Sequence, residues 1–129
     1  MSSITAKEAA ALLRQQNNIL ILTHRRPDGD TTGCAAGLCA SLRQIGKTAY
    51  VLYNPEITDS NRVYVEPYWA PAEFQPDFVV SVDIAARSLF FAGEEKYLGQ
   101  IGLAVDHHPS FEGFGAVHCV DDSRAACGE

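Results

Sequence analysis

Three short, uninterrupted apolar runs constrain the fold of this chain more than any other feature of its sequence. They cover residues 18–23 (NILILT), 78–82 (FVVSV) and 101–105 (IGLAV). Each run is too short for a helix and does not alternate with polar residues, which is typical of a strand buried on both faces of a sheet. Residues 49–53 predict one more strand.

The segments between these runs indicate helices. Residues 5–16 place apolar side chains on one side, and residues 31–45 repeat apolar positions every three or four residues up to Gly46, a common C-terminal stop. Residues 89–98 predict a crossover helix, whereas residues 54–76 predict either an irregular connection or one short element around residues 62–65. Strands alternating with helices predict one α/β domain with a parallel sheet flanked by helices on both faces.

Composition narrows the class of protein. The chain has 129 residues, of which 47% are hydrophobic, and a formal net charge of −6, with no run of Lys and Arg that could neutralise a long phosphate backbone. This argues against stable binding to duplex DNA, but not against a nucleotide substrate, because divalent cations cancel the charge of the carboxylates that bind them. No apolar stretch approaches the ~20 residues that span a bilayer, and the N-terminus lacks the features of a signal peptide. We therefore expect a cytoplasmic protein without membrane contact.

The four cysteines predict no metal or redox motif. No two of them form a CxxC pair, and in a cytosolic protein such residues are usually buried, reduced thiols. We interpret all four as structural: Cys34, Cys39, Cys119 and Cys127.

Residues of types that commonly bind metal ions follow the three apolar runs, at the point where each predicted strand ends. They are His24, Asp28 and Asp30 after the first run, Asp83 after the second, and Asp106, His107 and His108 after the third. In open parallel sheets, ligands bind beyond the carboxyl ends of the strands. These positions therefore predict a ligand site at one edge of the sheet.

Each position also has a simpler interpretation. An aspartate is common at a helix N-terminus, so Asp28 and Asp30 taken alone favour helix capping, and Asp83 alone could do the same. His24, four residues before Asp28 at the end of a buried strand, shifts the balance towards a metal site. His118 lies alone in an apolar stretch, which is more typical of a hydrogen-bonded core or edge residue, and we leave it out of the site.

The donor set consists of imidazoles and carboxylates, with no thiolate at the three strand ends. It suits Mn²⁺, Mg²⁺ or Fe²⁺ better than a structural zinc. Two such ions ~3.5–4 Å apart can share one carboxylate, and Asp83 is the natural bridge because it lies between the other ligand groups. Neighbouring side chains of an extended chain point in different directions, so one of His107 and His108 can bind metal while the other faces a substrate.

Three segments in this order resemble the motifs of a known family. THRRPDGD, VDIA and VDHHP closely resemble motifs one, two and three of the DHH phosphoesterases. The later stretch FEGFGAVHCVDDSRAACGE is similar to the segment that follows the DHH motif in the nanoRNase and pAp-phosphatase branch. The resemblance covers nearly the whole chain from residue 18 onward.

The resemblance implies a two-manganese centre. His24 and Asp28 would hold one ion, Asp30 and His107 the other, and Asp83 would bridge them. Mg²⁺ or another divalent cation is an alternative.

The resemblance also implies the reaction. His108 would contact the scissile phosphate and Asp106 would support the neighbouring imidazole, so that Asp83, His107 and His108 carry catalysis. The expected activity is hydrolysis of small nucleotide phosphoesters by metal-activated water, with short single-stranded oligoribonucleotides, pAp or cyclic dinucleotides as substrates. Polyphosphate or pyrophosphate hydrolysis is the alternative within the enzyme class, and a metal-binding module without turnover is the alternative outside it.

The chain departs from the family pattern at its end. Members usually supply a further metal-binding Asp after the helix that would begin near Ser123, and then a C-terminal substrate domain. Asp121 and Asp122 are more typical of a helix cap than of that ligand. We therefore expect residues 1–129 to be an incomplete DHH catalytic domain of a longer protein, feeble in catalysis by itself and compatible with a homodimer in full length.

Overall fold

A computed structural model describes residues 2–3, 6–23, 29–55, 57–71, 73–82, 101–106 and 117–120. Within these ranges, six parallel strands form one sheet in the order β1-β6-β5-β4-β2-β3. The strands are β1 Ser2–Ser3, β2 Ile19–Leu22, β3 Ala49–Val51, β4 Phe78–Val82, β5 Ile101–Asp106 and β6 Val117–Val120. The predicted α/β class with a parallel sheet is confirmed.

Strand β2 pairs with β3 on one side and with β4 on the other. Ile19 and Ile21 pack in one core cluster, whereas Leu20 and Leu22 pack in another on the opposite face. All four side chains are buried. The apolar run in the sequence thus correctly predicts a strand buried on both faces, because such a strand has no solvent-exposed side where polar residues would be favoured.

Helices α1 (Ala6–Arg14) and α2 (Gly29–Gln44) cover the first of these faces. Helix α2 buries Ala35, Cys39 and Leu42 at three- or four-residue spacing, as the sequence predicts. It ends in a Schellman motif. The Lys47 N–H donates to the Leu42 carbonyl and the Gly46 N–H to that of Arg43, both at 3.0 Å, and Gly46 has φ of +86°.

The opposite face buries Leu20, Leu22 and residues of β4 and β5. Among the described residues, Phe74 and Tyr50 pack against it, with ring centroids 4.9 Å apart. The crossover helix predicted at residues 89–98 lies outside the described residues.

The proline-containing segment at residues 54–76 holds more order than its sequence indicates. Helix α3 runs over Asp59–Val65, and a 3-10 turn follows at Glu66–Tyr68. Helix α3 packs against α2. Of the two alternatives that the sequence left open, the structure shows the short element around residues 62–65, with a longer extent.

Two strands and one bulge were not anticipated. Strands β1 and β6 pair with each other, and β6 pairs with β5. Between β4 and β5 the register shifts, so Val79 faces Ile101 while Val80 faces Leu103, and Gly102 is the extra residue. A side chain at Gly102 would overlap the Phe78 ring, which explains the glycine. No helix in the described ranges is long and apolar enough to cross a membrane.

Candidate metal centre

The carboxyl ends of three neighbouring strands form the frame of the predicted site. Strands β2, β4 and β5 lie side by side and run parallel, with Leu22 facing Ser81 and Val82 facing Val105 in the register. Parallel strands leave the sheet at the same edge, about 4.8 Å apart. The chain segments that follow these three strands therefore start next to one another.

Each predicted ligand is close in sequence to the end of one of these elements. His24 follows Leu22 by two residues, Asp83 follows Val82 directly, and His107 follows the last residue of β5. Asp28 directly precedes α2. His24, Asp28, Asp83, His107 and His108 themselves lie outside the described residues, so their roles stay predictions.

Asp30 and Asp106 have a described backbone. Asp106 is the final residue of β5 and pairs with Val120. Asp30 is the second residue of α2, whereas the sequence predicted a loop up to this point and a helix from residue 31.

His118, which we left out of the site, lies in β6 and pairs with Ala104. The backbone of His118 thus belongs to the sheet, as expected for a core or edge residue. This pairing concerns the backbone alone, so the expected lack of a role in turnover stays a prediction.

A buried polar pair at the same sheet edge was missed by sequence reasoning. The Asn54 amide donates a hydrogen bond from Nδ2 to Thr23 Oγ1 at 3.0 Å. Thr23 is 0% exposed and Asn54 is 1% exposed. Thr23 directly precedes His24, and 31 residues separate the pair in the chain, so no local pattern could have indicated it.

Cys39 supports the structural interpretation of the thiols, whereas Cys34 is only half-buried. Cys39 is buried in the core, and its Sγ donates to the Ala49 carbonyl at 3.3 Å. Burial raises the pKa of the Cys39 thiol, against the opposing effect of Arg43. A thiol that stays protonated is a poor nucleophile and metal ligand.

In the part of the chain that the structure describes, no three His, Cys, Asp or Glu side chains come together as a metal site. The carboxylate and imidazole donors that follow β2, β4 and β5 fit Mn²⁺ or Mg²⁺ by their chemistry.

The chain is similar to known proteins over most of its length. The family model described as "DHH family, N-terminal domain" matches residues 18–128. The chain is 33% identical over 121 residues to the bifunctional oligoribonuclease and PAP phosphatase NrnA of Thermus thermophilus, covering 92% of this chain and 36% of that protein.

A solved structure shares the fold. The exopolyphosphatase-related protein from Bacteroides fragilis superimposes with a TM-score of 0.71 at 18% identity, over 94% of this chain and 39% of that one. The chain thus spans little more than a third of the length of both proteins.

Proposed function

The chain belongs to the DHH family, and on that premise we propose that it is the catalytic part of a metal-dependent phosphoesterase acting on small nucleotides. The observation that carries the proposal is the adjacency of β2, β4 and β5. Three segments with metal-binding residue types leave one sheet edge together. In open parallel sheets this edge is where ligands bind.

The proposed metal centre holds two Mn²⁺ ions. His24 and Asp28 bind one ion, Asp30 and His107 bind the other, and Asp83 bridges both. Asp83 follows β4, which lies between β2 and β5 in the sheet. That central strand supports its assignment as the shared ligand. When bound, the ions supply positive charge that activates water and stabilises the phosphoryl oxygens.

Two further residues complete the proposed site. His108 binds the scissile phosphate as a hydrogen-bond donor, which orients the ester for attack. Asp106, the last residue of β5, holds the neighbouring imidazole in place from behind, as carboxylates often do for metal-binding histidines.

The proposed substrates are small nucleotides with an accessible phosphoester, first short single-stranded oligoribonucleotides and pAp, then cyclic dinucleotides. The similarity to the Thermus thermophilus protein, whose name gives both of the first two activities, supports this order. We also propose that the protein acts in the cytoplasm, without duplex DNA or membrane as a partner. A homodimer of the full-length protein is compatible with this function.

The test compares the two ends of one strand. Asp83 follows β4, and Asp77 precedes it. In the full-length protein, Asp83→Ala should lower hydrolysis of pAp and of a short oligoribonucleotide by several orders of magnitude and weaken Mn²⁺ binding measured by calorimetry. Manganese-soaked wild-type crystals should show two anomalous peaks near Asp83.

Asp77→Ala is the matched control. Asp77 accepts a hydrogen bond from Asn18 Nδ2 at 2.6 Å at the far edge of the sheet, so this change should cost some stability and leave turnover intact. His118→Ala should also leave turnover largely unchanged. Full activity of Asp83→Ala, or a single anomalous peak far from residue 83, would refute the proposal. If the protein hydrolysed only polyphosphate or pyrophosphate, the proposed substrate class would be wrong and the proposed metal centre would stand.

A further inference from the structure

Thr23 and Asn54 form a fully buried polar contact at the sheet edge where the proposed metal ligands begin. Their hydrogen bond joins the end of β2 to the segment after β3. The proposed function gives neither side chain a role. The position of the pair nevertheless matters, because Thr23 is the residue immediately before His24.

The contact continues the β2–β3 ladder with side chains. The last paired residues in the register are Ile21 and Val51, and the Leu52 N–H still donates to the Ile21 carbonyl at 2.9 Å. Two residues beyond Ile21 and Leu52, the Asn54 side chain donates a hydrogen bond to the Thr23 hydroxyl instead. The backbones therefore stop pairing at the point where these two side chains hold the departing segments together.

The segment after β3 is itself anchored. The Asn54 carbonyl accepts a hydrogen bond from the Ile57 N–H at 3.2 Å, which closes a turn, and Ile57 is buried. Asn54 is thus a fixed point in the fold. Its amide can hold Thr23 in one position relative to the sheet.

The pair buries an amide and a hydroxyl, whereas two apolar side chains in contact would need no hydrogen bond to offset the loss of hydration. Buried polar groups cost stability unless they are hydrogen-bonded, and the direction of a hydrogen bond fixes the geometry of its partners in a way that apolar contact does not. Sites of this kind are often kept for the geometry that they impose.

We propose that Asn54 and Thr23 are positioning residues for the metal centre. Their hydrogen bond fixes the backbone at Thr23 and thereby the start of the segment that carries His24 and Asp28. This inference rests on the proposed function, since it needs those residues to be ligands. It assigns no contact with metal or substrate to either member of the pair.

The size of the expected effect follows from how metal sites tolerate displacement. A ligand set has to be held to about 0.5 Å, and loss of a supporting hydrogen bond typically weakens metal binding about 10- to 100-fold. If the contact were purely structural, its loss would lower the free energy of unfolding without this change in Mn²⁺ affinity.

The experiment is calorimetric titration of Mn²⁺ into the full-length protein and its variants. Asn54→Leu and Thr23→Val remove the hydrogen bond while nearly conserving volume, and each should weaken binding about 10- to 100-fold. Thr23→Ser keeps the hydroxyl and should bind nearly as the wild type does. The Thr23→Val/Asn54→Leu double variant should lose less affinity than the sum of the two single losses in binding free energy, because both changes remove the same hydrogen bond.

The chain offers a matched control at the opposite ends of the same two strands. Asn17 Oδ1 accepts a hydrogen bond from the Thr48 N–H at 2.7 Å, so Asn17→Ala removes a side-chain link between the starts of β2 and β3. It should lower the denaturation midpoint and leave the Mn²⁺ affinity unchanged. Urea denaturation of every variant separates stability from binding.

The outcomes distinguish this inference from the function on which it rests. If the wild type binds no Mn²⁺, the proposed metal centre fails before any variant is compared. If the wild type binds it and Thr23→Val does so equally well, the pair is only structural and the inference is overturned. Should Asn54→Leu fail to fold, Thr23→Val compared with Thr23→Ser still measures the effect of the same hydrogen bond on Mn²⁺ affinity.

Discussion

Arg43 joins a helix, a strand and a turn through one guanidinium group. Its Nε donates to the Ala49 carbonyl at 2.9 Å, and its Cζ lies 5.0 Å from the Tyr50 ring centroid and 4.9 Å from that of Tyr68. We predict that Arg43→Met lowers the free energy of unfolding by about 1–3 kcal/mol, since a charge-assisted hydrogen bond and two cation–π contacts are lost. Urea denaturation measures the change.

Arg62→Met is the control for that prediction. The Arg62 side chain is 51% exposed, pairs with Glu66 at 3.0 Å and Asp59 at 3.6 Å, and makes one longer cation–π contact, 5.8 Å from the Trp69 ring centroid. Exposed ion pairs contribute about 0–1 kcal/mol because water screens them. Equal losses for both variants would mean that Arg43 contributes no more than a surface charge does.

At the scale of elements, a Gly→Ala substitution should have opposite effects on stability at two positions, one inside helix α2 and one at its C-terminal end. Gly37 is exposed inside the helix with open space around it, whereas Gly46 ends the helix at φ of +86°. We predict that Gly37→Ala stabilises the protein by about 0.5–1 kcal/mol through helix propensity. Gly46→Ala should destabilise it by about 1 kcal/mol, because a side chain is strained in the left-handed region. Thermal unfolding that shifts in the same direction for both would contradict these assignments.

The central strands could be predicted from the sequence because their environment leaves a local signal. Strand β4 occupies the predicted residues 78–82, and β2 and β5 differ from prediction by no more than one residue at either end. Strand β1 consists of two serines, and β6 carries a histidine among apolar residues. Neither pattern predicts a strand, since both form only by pairing with distant parts of the chain.

The same distinction applies to the candidate site. Its edge of the sheet could be predicted, because ligand-type residues directly follow apolar runs. Asn54 could not, because its partner Thr23 lies 31 residues away and only the alignment of β2 with β3 brings them together. Contacts that depend on strand register leave no trace in local sequence.

At the scale of the whole molecule, the length of the relatives bears on activity. The chain corresponds to 36% of the Thermus thermophilus protein. We predict that residues 1–129 alone hydrolyse pAp, a short oligoribonucleotide and a chromogenic phosphodiester far more slowly than the full-length protein in excess Mn²⁺. A two-metal reaction requires water, phosphorus and leaving group in line, and displacement by ~1 Å can cost about 100-fold.

Side-by-side rates on these three substrates provide the measurement. Equal rates would mean that Asp121 or Asp122 completes the metal shell and that the chain is a self-sufficient enzyme. Circular dichroism of the short chain is the control, since an unfolded fragment would be inactive for a different reason.

The position of β2 between β3 and β4 also sets a condition on how the chain is made. Strand β2 emerges from the ribosome before both of its partners, which begin at Ala49 and Phe78. Its run NILIL carries no charge and is of the kind that aggregates when its edges are open. Translation therefore leaves this apolar segment without strand partners until residue 82 has left the exit tunnel, and exposed apolar segments with unpaired edges are prone to aggregate at that stage.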